Sequence, residues 1–441
     1  MTKRRQFDLI VIGAEPAGFA AAGCAAREGA RTALIRTGDK SLRVASMPGV
    51  PDFVWRKLNL QDMGLDAKPV GARVSLFEGG RSFKTYQSER KTHDALEAAG
   101  IADHHLWADF SGQLVRLREE GETLTQRASA PAGRNSAPAL LGALAKEDGA
   151  SAAERMTSTS AALLEDYFVN GDLKTHLASA ALGPFGLGGD EAGSALALAS
   201  LTAPAAWRMR ASAKGPSLER VLEEAASAAG VEIIDARIRG LDADDKGVSL
   251  SLHDGEGLRA RRLMAASTDA AARAGLEVSA AFSPLTRRDG AVANVRLRFS
   301  KAPDAPGGDK DAIFYLADNF ASFAEARDAA LEGRIPEKAP ISFEFHKDEI
   351  IVHAPYCPAY LMSDGEVREW SEQDRQALGQ QIVARLAPHL NGAARSIKRV
   401  DVRVVPAAAH QADRAGLTAP APSHDPIGAA AKLALDLIRG E

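Results

Sequence analysis

The chain has 441 residues (46.5 kDa), with 54 Lys and Arg against 58 Asp and Glu, which gives a formal net charge of -4. Domains run to roughly 100–200 residues, so this length predicts two or three lobes around at least one large core. Hydrophobic residues make up 45% and charged residues 25% of the chain, as in globular proteins and unlike disordered ones. The near-neutral charge balance excludes a dedicated nucleic-acid binder, because such proteins normally carry a surplus of basic residues.

Cysteine usage and hydropathy bear on the compartment. The two cysteines, Cys24 and Cys357, are too few for a disulfide framework or a thiolate metal site, which favours a reducing setting. The opening MTKRRQFDLIVIG has an apolar run too short for a signal peptide. The longest uncharged run, 192–207, falls short of the roughly 20 residues that span a bilayer. We therefore expect a cytoplasmic protein, at most peripheral to a membrane.

Residues 7–36 predict one strand–turn–helix–strand unit. The run Phe7 to Ile12 is apolar apart from its second residue, as in a strand buried on both faces of a parallel sheet. A tight turn over Gly13 to Gly18 leads into a helix of small residues over 19–28, and a second strand covers Thr32 to Arg36.

The remaining elements follow from turn residues and periodicity. A hairpin turns at Gly79-Gly80, and residues 88–202 are predicted to be mostly helical with breaks at Gly133 and in the glycine-rich loop 183–191. Ser217 as N-cap and Gly230 as stop predict an amphipathic helix. The later pattern predicts a strand at 231–235, a hairpin over 246–267, strands at 291–300, 312–316, 341–346, 349–354 and 398–405, and helices at 322–332, 371–387 and 427–439.

The helix after Ser217 carries a regular apolar face, with residues at i, i+3, i+4 and i+7. We expect this face to pack beneath neighbouring strands as part of a single buried region. That region is predicted to contain Trp207, Leu218, Val221, Leu222, Val231, Ile233 and Ile238.

The run FDLIVIGAEPAGFAAAGCAAREGARTALIRT resembles the ADP-binding unit of flavin-dependent oxidoreductases. In that unit the three glycines of G-x-G-x-x-G serve the turn, the approach of backbone to pyrophosphate, and helix–strand packing. The phosphates then lie at the positive end of the helix dipole.

Further segments are similar to one branch, the phytoene desaturase-like members of the amine oxidase superfamily. GPSLERVLEEAASAAGVEIIDARIRGLDADDKGVSLSLHDGEGLRARRLMAAS looks like the family's stretch from its glycine-rich loop to its returning strand, and DYFVNGDLKTHLASAALGPFG is similar to its helical cap segment. The resemblance implies an α/β fold with an FAD/NAD(P)-binding Rossmann-like domain and a mixed α/β cap or substrate domain. It also implies FAD-dependent hydride transfer at a carbon–carbon bond of an apolar isoprenoid- or lipid-like small molecule.

The resemblance divides the chain into alternating pieces. The nucleotide-binding lobe is expected at 1–87, 205–275 and 401–441, a mainly helical cap at 88–204, and a mixed α/β substrate lobe at 276–400. The implied cofactor-binding positions are Gly13, Ala14, Glu15, Gly18, Arg36, Ile238 and Gly428. No side chain is assigned as a catalytic acid or base.

Four departures from the family pattern touch the flavin site. Glu15 replaces the middle glycine of the turn, and Arg36 replaces the acid that would bind the adenosine ribose. The glycine pair expected after that strand reads TGDKSLRVASMPG, and in the closing motif LTAPAPSHDPIGAAAKLALDLI only Gly428 and the following helix match. If the Glu15 carboxylate lay about 4 Å from a pyrophosphate charge, the repulsion would cost about 4 kcal/mol at an effective dielectric constant near 20. This cost would lower the affinity for the dinucleotide by close to a thousandfold.

Two hypotheses therefore remain open. In the first, the chain binds FAD and is an oxidoreductase. In the second, it is a flavin-free relative that acts as a binding or partner subunit, as a homo-oligomer or with another protein. In the second case Glu15 and Arg36, with exchanged charges, are predicted to form a salt bridge across the adenosine site. Arg36 also leaves an NADP 2′-phosphate as an alternative ligand.

Other chemistries find little support in the sequence. His104-His105, and His353 with Cys357, match no metal-ligand spacing, so no metal site is predicted. The G-x-S-x-G elbow of hydrolases and the P-loop are both absent.

Overall fold

The computed structural model describes residues 5–37, 49–128, 154, 157–202, 209–211, 216–244, 246–267, 270, 274, 279–280, 290–363, 365–406, 417–419 and 426–439. The strands in chain order are β1 (Arg5–Ile12), β2 (Thr32–Arg36), β3 (Ala67–Pro69), β4 (Arg73–Leu76), β5 (Ser82–Thr85), β6 (Met209–Ala211), β7 (Glu232–Asp235), β8 (Ile238–Asp244), β9 (Gly247–Leu252), β10 (Gly257–Ala265), β11 (Ser279–Ala280), β12 (Ala291–Phe299), β13 (Ile313–Leu316), β14 (Ile341–His346), β15 (Glu349–Cys357), β16 (Leu361–Ser363), β17 (Glu366–Arg368), β18 (Ile397–Pro406) and β19 (Leu417–Ala419).

The described helices are α1 (Pro16–Arg27), α2 (Asp52–Lys57), α3 (Glu89–Ala98), α4 (Trp107–Ala128), α5 (Ser160–Tyr167), α6 (Gly171–Ala181), α7 (Ala195–Ala199), α8 (Leu218–Ala228), α9 (Ser322–Leu331), α10 (Glu372–Leu386) and α11 (Pro426–Arg439). Short 3₁₀ turns connect several of them.

The first sheet carries the N-terminal unit. Its strand order is β11-β19-β10-β1-β2-β7, with the hairpin β8–β9 joined to β10 through β9. β1 pairs in parallel with both β2 and β10, and β2 pairs in parallel with β7. Because both faces of β1 are covered, its apolar run is continuous: Leu9 and Val11 face one core, and Ile10 and Ile12 face another.

Helices α1, α8 and α11 form one core with the first of these faces. α1 buries small residues from Ala17 to Ala25, and the C-terminal helix α11 adds Ile427, Ala430 and Ala434 to the same core. Small side chains let these helices approach closely. The prediction that the C-terminal helix packs on the N-terminal unit is therefore confirmed.

The second sheet has the order β18-β12-β15-β14-β13-β4-β5. One face packs against cap helices α3 to α7, and the other packs against α10, so this sheet lies between two apolar cores. The hairpin β4–β5 and the part of β18 from residue 401 onward, which the sequence-based boundaries gave to the nucleotide-binding lobe, belong to this sheet. The hairpin β4–β5 pairs through β4 with β13, and β18 pairs with β12. Both pairings join segments more than 90 residues apart, which local patterns do not reveal.

Most predicted elements are found within one or two residues of their expected bounds, including strand 341–346 and helix 371–387. Ser217 caps α8 by accepting a hydrogen bond from the Arg220 backbone N–H (3.2 Å). Gly133 lies outside the described residues.

The predicted core around α8 is confirmed in most of its members. Leu218, Val221, Leu222 and Val231 share the α1 core, and Ile233 packs against it half-buried. Ile238 was wrongly placed, because it packs with the core on the opposite face of the first sheet, beside the β8–β9 hairpin. Trp207 lies outside the described residues.

Leu222→Ala should lower the free energy of unfolding by about 2–5 kcal/mol, because Leu222 is fully buried in the α1 core. Urea denaturation followed by circular dichroism measures the loss. Leu331→Ala is the matched control, since Leu331 is 52% exposed at the end of α9. Equal losses for the two variants would contradict the placement of α8.

Candidate functional site

The turn after β1 begins at Gly13, a position that only glycine can occupy. Gly13 has φ +109, and a Cβ there would lie 2.6 Å from Cβ of Ala270. Its backbone N–H donates to the carbonyl of Ile35 (3.0 Å), which ties the turn to the end of β2. The first glycine of the motif thus keeps its conformational role.

Gly18 keeps the packing role of the last glycine. A Cβ at Gly18 would lie 1.9 Å from the carbonyl oxygen of Gly13 and 3.1 Å from Cβ of Ala266. α1 can therefore lie this close to the turn only because position 18 has no side chain. The two glycines that shape the fold are both present and both in tight contact.

Between these glycines, Glu15 departs from the glycine motif that the sequence resembles. Ala14 and Glu15 are half-buried, and Glu15 is the N-cap residue of α1, with extended backbone. Its side chain does not cap the helix, although its carbonyl accepts from the N–H of Phe19 (3.0 Å). A carboxylate now stands at the positive end of the helix dipole, the position where this type of turn receives a phosphate.

Arg36 ends β2 at the same edge of the sheet, but its ion pairs run toward β7 and α8. Its guanidinium pairs with the carboxylate of Glu223 in α8, and Nε lies 3.4 Å from Oδ1 of Asp235 at the end of β7. Arg36 and Asp235 are also register partners in the parallel β2–β7 pair. These three side chains, Arg36, Glu223 and Asp235, are called here the ribose-edge cluster.

The predicted salt bridge between Glu15 and Arg36 is wrong. Within the described residues Arg36 forms ion pairs with Glu223 and Asp235, and none with Glu15. The reason is topological: the β2–β7 pairing and the packing of α8 bring two carboxylates to the guanidinium. Those carboxylates lie about 190–200 residues further along the chain, so adjacent motif positions gave no sign of them.

The remaining two predicted positions lie in neighbouring elements. Ile238 begins β8, half-buried, two residues after Ala236, whose N–H donates to the carbonyl of Arg36 (3.1 Å). Gly428 is buried in the first turn of α11, the helix that packs on α1. The structure thus groups Gly13 to Gly18 on one turn, with Arg36 and Ile238 around the adjoining strand ends.

A dinucleotide fits this edge poorly. The turn glycines suit it, but Glu15 opposes the pyrophosphate by charge. At the end of β2 a ribose hydroxyl would need a hydrogen-bond acceptor, but the side chain there is the guanidinium of Arg36, which donates. This guanidinium already pairs with two carboxylates. The same two carboxylates oppose a 2′-phosphate at Arg36, so the NADP alternative gains no support. No reaction step through a flavin is derived from these residues.

A buried polar cluster that the sequence did not indicate joins the cap to the second sheet. His176 of α6 lies with Nδ1 2.7 Å from Ser75 Oγ and Nε2 3.0 Å from Thr85 Oγ1. Burial, with a smaller effect of the Arg73 charge, lowers the pKa of His176 to about 3. The ring is therefore neutral near pH 7. Since both nitrogens are bonded and the ring is 1% exposed, the cluster holds α6 on β4 and β5 rather than offering a base to a substrate.

The metal and thiol candidates are also accounted for. Among the described residues no group of three or more His, Cys, Asp or Glu side chains could hold a metal ion. Cys24 and Cys357 are both buried and neither is in a disulfide, and burial raises the pKa of Cys24 to about 12, so its thiol is protonated near pH 7. Across the described helices, none combines the length and apolarity needed to span a bilayer.

Comparison with known proteins identifies the fold. No family model and no curated protein matches the chain. Among solved structures, a redesigned putrescine oxidase matches with a TM-score of 0.52 at 13% identity over 100% of both chains. Cyclohexylamine oxidase from Brevibacterium oxydans matches with a TM-score of 0.53 at 14% identity, over 98% of this chain and 99% of that one. Rab GDI from Plasmodium falciparum matches with a TM-score of 0.50 at 9% identity, over 99% of this chain and 98% of the other.

The chain shares its fold with these two amine oxidases and with Rab GDI. The predicted fold class, a Rossmann-like nucleotide-binding domain with a mixed α/β substrate domain, is confirmed. The phytoene desaturase branch remains a prediction, since these matches establish the fold alone.

Gly18→Ala should strongly destabilise the protein, because the new Cβ would overlap the Gly13 carbonyl and force α1 from the turn. We expect a loss of at least about 1–3 kcal/mol in urea denaturation. Gly112→Ala is the control: it also lies within a helix, with no atom within 4 Å of the added Cβ, and should be neutral or stabilising by up to about 1 kcal/mol. A Gly18→Ala variant as stable as its control would refute the close packing.

His176 should make the protein sensitive to acid. Its folded pKa of about 3 lies below the ordinary value near 6.5, so the unfolded chain binds the proton more readily and stability falls as pH drops below about 6.5. Between about pH 6 and about pH 4.5 the wild type should lose about 1–2 kcal/mol more than His176→Gln. Exposed His105→Gln serves as the control and should keep the wild-type acid slope. Identical slopes for wild type and His176→Gln would contradict the neutral buried ring.

Proposed function

We propose that this chain is a binding or partner subunit built on the flavoenzyme fold, which does not hold FAD in the usual manner of that fold. The observation that carries the proposal is the ribose-edge cluster together with Glu15. A guanidinium held by Glu223 and Asp235 stands where the resemblance implies the acid that binds the ribose, and a carboxylate stands where it implies the glycine next to the pyrophosphate. The protein would then act through recognition of a ligand or partner.

The shared fold is compatible with this role. The same fold is found in two amine oxidases and in a protein named Rab GDI, so the fold by itself does not imply an oxidase. Gly13 and Gly18 are explained by their packing with Ala270 and with each other, whether or not a nucleotide binds. Their presence is therefore no argument for FAD.

The second candidate is an FAD-dependent oxidoreductase that transfers a hydride at a carbon–carbon bond. It is favoured by the resemblance of the N-terminal run FDLIVIGAEPAGFAAAGCAAREGARTALIRT to the ADP-binding unit of flavin-dependent oxidoreductases. In this case the cofactor would supply the redox chemistry. The apolar isoprenoid- or lipid-like ligand implied by the resemblance remains a prediction under either candidate.

FAD titration of charge variants separates the candidates. Glu15→Gln removes the carboxylate at the start of α1 and keeps its size, so FAD affinity should rise, by up to about a thousandfold if the charge alone opposes the pyrophosphate. Isothermal titration calorimetry measures the dissociation constant. Glu28→Gln, at the opposite end of α1, is the matched control and should leave weak binding unchanged.

Stoichiometric, tight FAD binding by the wild type, unaltered by Glu15→Gln, would overturn the proposal and favour the enzyme. Weak binding that improves in Glu15→Gln but not in the control Glu28→Gln supports it. Arg36→Gln, which releases Glu223 and Asp235 as acceptors for ribose hydroxyls, should add to the gain.

A further inference from the structure

Among the described strands, β18 forms one outer edge of the second sheet. β18 is the last strand of that sheet, and among the described strands it pairs with β12 alone. It is ten residues long, and much of it is accessible to solvent, with Val400 38% exposed. A long edge strand offers unpaired backbone groups to another strand unless something prevents it.

The face of β18 toward α10 is apolar. Val400, Val402 and Val404 alternate along it, and α10 lies so close that a Cβ on Gly379 would be 2.9 Å from Val400 and 3.1 Å from Val402. Beside this face runs a groove of about 430 Å³ between α10 and β18. Its lining includes Val383, Val400 and Val402 together with Glu372 and Arg375.

The opposite face of β18 alternates in charge. Arg399, Asp401 and Arg403 follow one another on it, and Arg399 Nε lies 2.6 Å from Asp401 Oδ1 within the same strand. Charged side chains on an edge usually discourage pairing. Here both signs are present at a spacing of two, which permits opposite charges to meet across an antiparallel pair of identical strands.

We propose that two copies of this chain form a dimer by antiparallel pairing of their β18 strands, with Val402 on the two-fold axis. This register sets Val400 opposite Val404 of the partner subunit and Asp401 opposite Arg403 of the partner subunit. The pairing is isologous, as expected of a two-fold dimer. Both seven-stranded sheets then join into one, with the two α10 helices on the same face.

Charge selects this register over its neighbours. Pairing centred on Asp401 would set Asp401 against its own copy and, on each side of it, Arg399 against Arg403 of the partner subunit, three like-charge contacts that destabilise the pair. Pairing centred on Val400 would set Val402 opposite Lys398 of the partner subunit and break the valine row. The Val402 register alone combines a continuous apolar face with opposite charges. This inference is independent of whether the chain binds FAD.

Oligomeric state and cross-linking test the dimer directly. Sedimentation equilibrium should give twice the chain mass of 46.5 kDa at micromolar concentration. Val402→Cys should form an intermolecular disulfide under mild oxidation, because opposed residues of antiparallel strands have Cα atoms about 4.5–5.5 Å apart. Val169→Cys is the control: Val169 is 88% exposed, lies far from β18 in sequence, and both native cysteines are buried.

A charge-reversal cycle tests the register. Arg403→Asp should weaken the dimer about tenfold or more, and Asp401→Arg combined with Arg403→Asp should restore it, because the opposed charges are exchanged together. Circular dichroism establishes that each variant folds. The proposal would be overturned if the wild type were monomeric at a protein concentration of about 100 µM. It would also be overturned if Val402→Cys cross-linked no more than Val169→Cys. Recovery in the double variant supports it even if Arg403→Asp proves poorly stable.

Discussion

The close fit of α1 against the turn after β1 is the constraint on which the nucleotide-binding side of the molecule depends. No Cβ can be accommodated at Gly13 or Gly18, since either would overlap the backbone or the side chain of its neighbour. With α1 held there, its small residues provide the surface on which α8 and α11 pack. The sheet edge, the helix N-terminus and the C-terminal helix are thus fixed by one contact.

The residues that the fold requires differ from those that a nucleotide ligand would require. The glycines that the packing needs are present, whereas Glu15 and Arg36 stand at positions that contact the nucleotide in the ADP-binding unit that the sequence resembles. The carboxylates of Glu223 and Asp235 then neutralise the guanidinium at the ribose edge. Paired, half-exposed charges of this kind contribute little to stability, so their main effect is on what the edge can bind. The cap is fastened independently, through the buried bonds of His176 to Ser75 and Thr85.

Local elements were predictable because their signals are local. Ser217 as cap, the apolar periodicity of α8 and the alternation in β14 each predict an element from neighbouring residues. Long-range pairings were not predictable in this way. The partners of Arg36 come from α8 and β7, Ile238 joined the opposite core because β8 belongs to a hairpin, and β18 joined the second sheet through β12. His176 gave no sign in the sequence, because a single histidine in a helix of small residues does not reveal its two hydroxyl partners.

The most direct measurement is the flavin content of the wild-type protein. The purified chain is incubated with excess FAD, freed of unbound nucleotide by gel filtration, and denatured in acid so that any released flavin can be quantified by its fluorescence. If the edge formed by Glu15 and the ribose-edge cluster excludes FAD, the protein should be colourless and carry far less than one flavin per chain. A yellow protein with one FAD per chain would contradict the account.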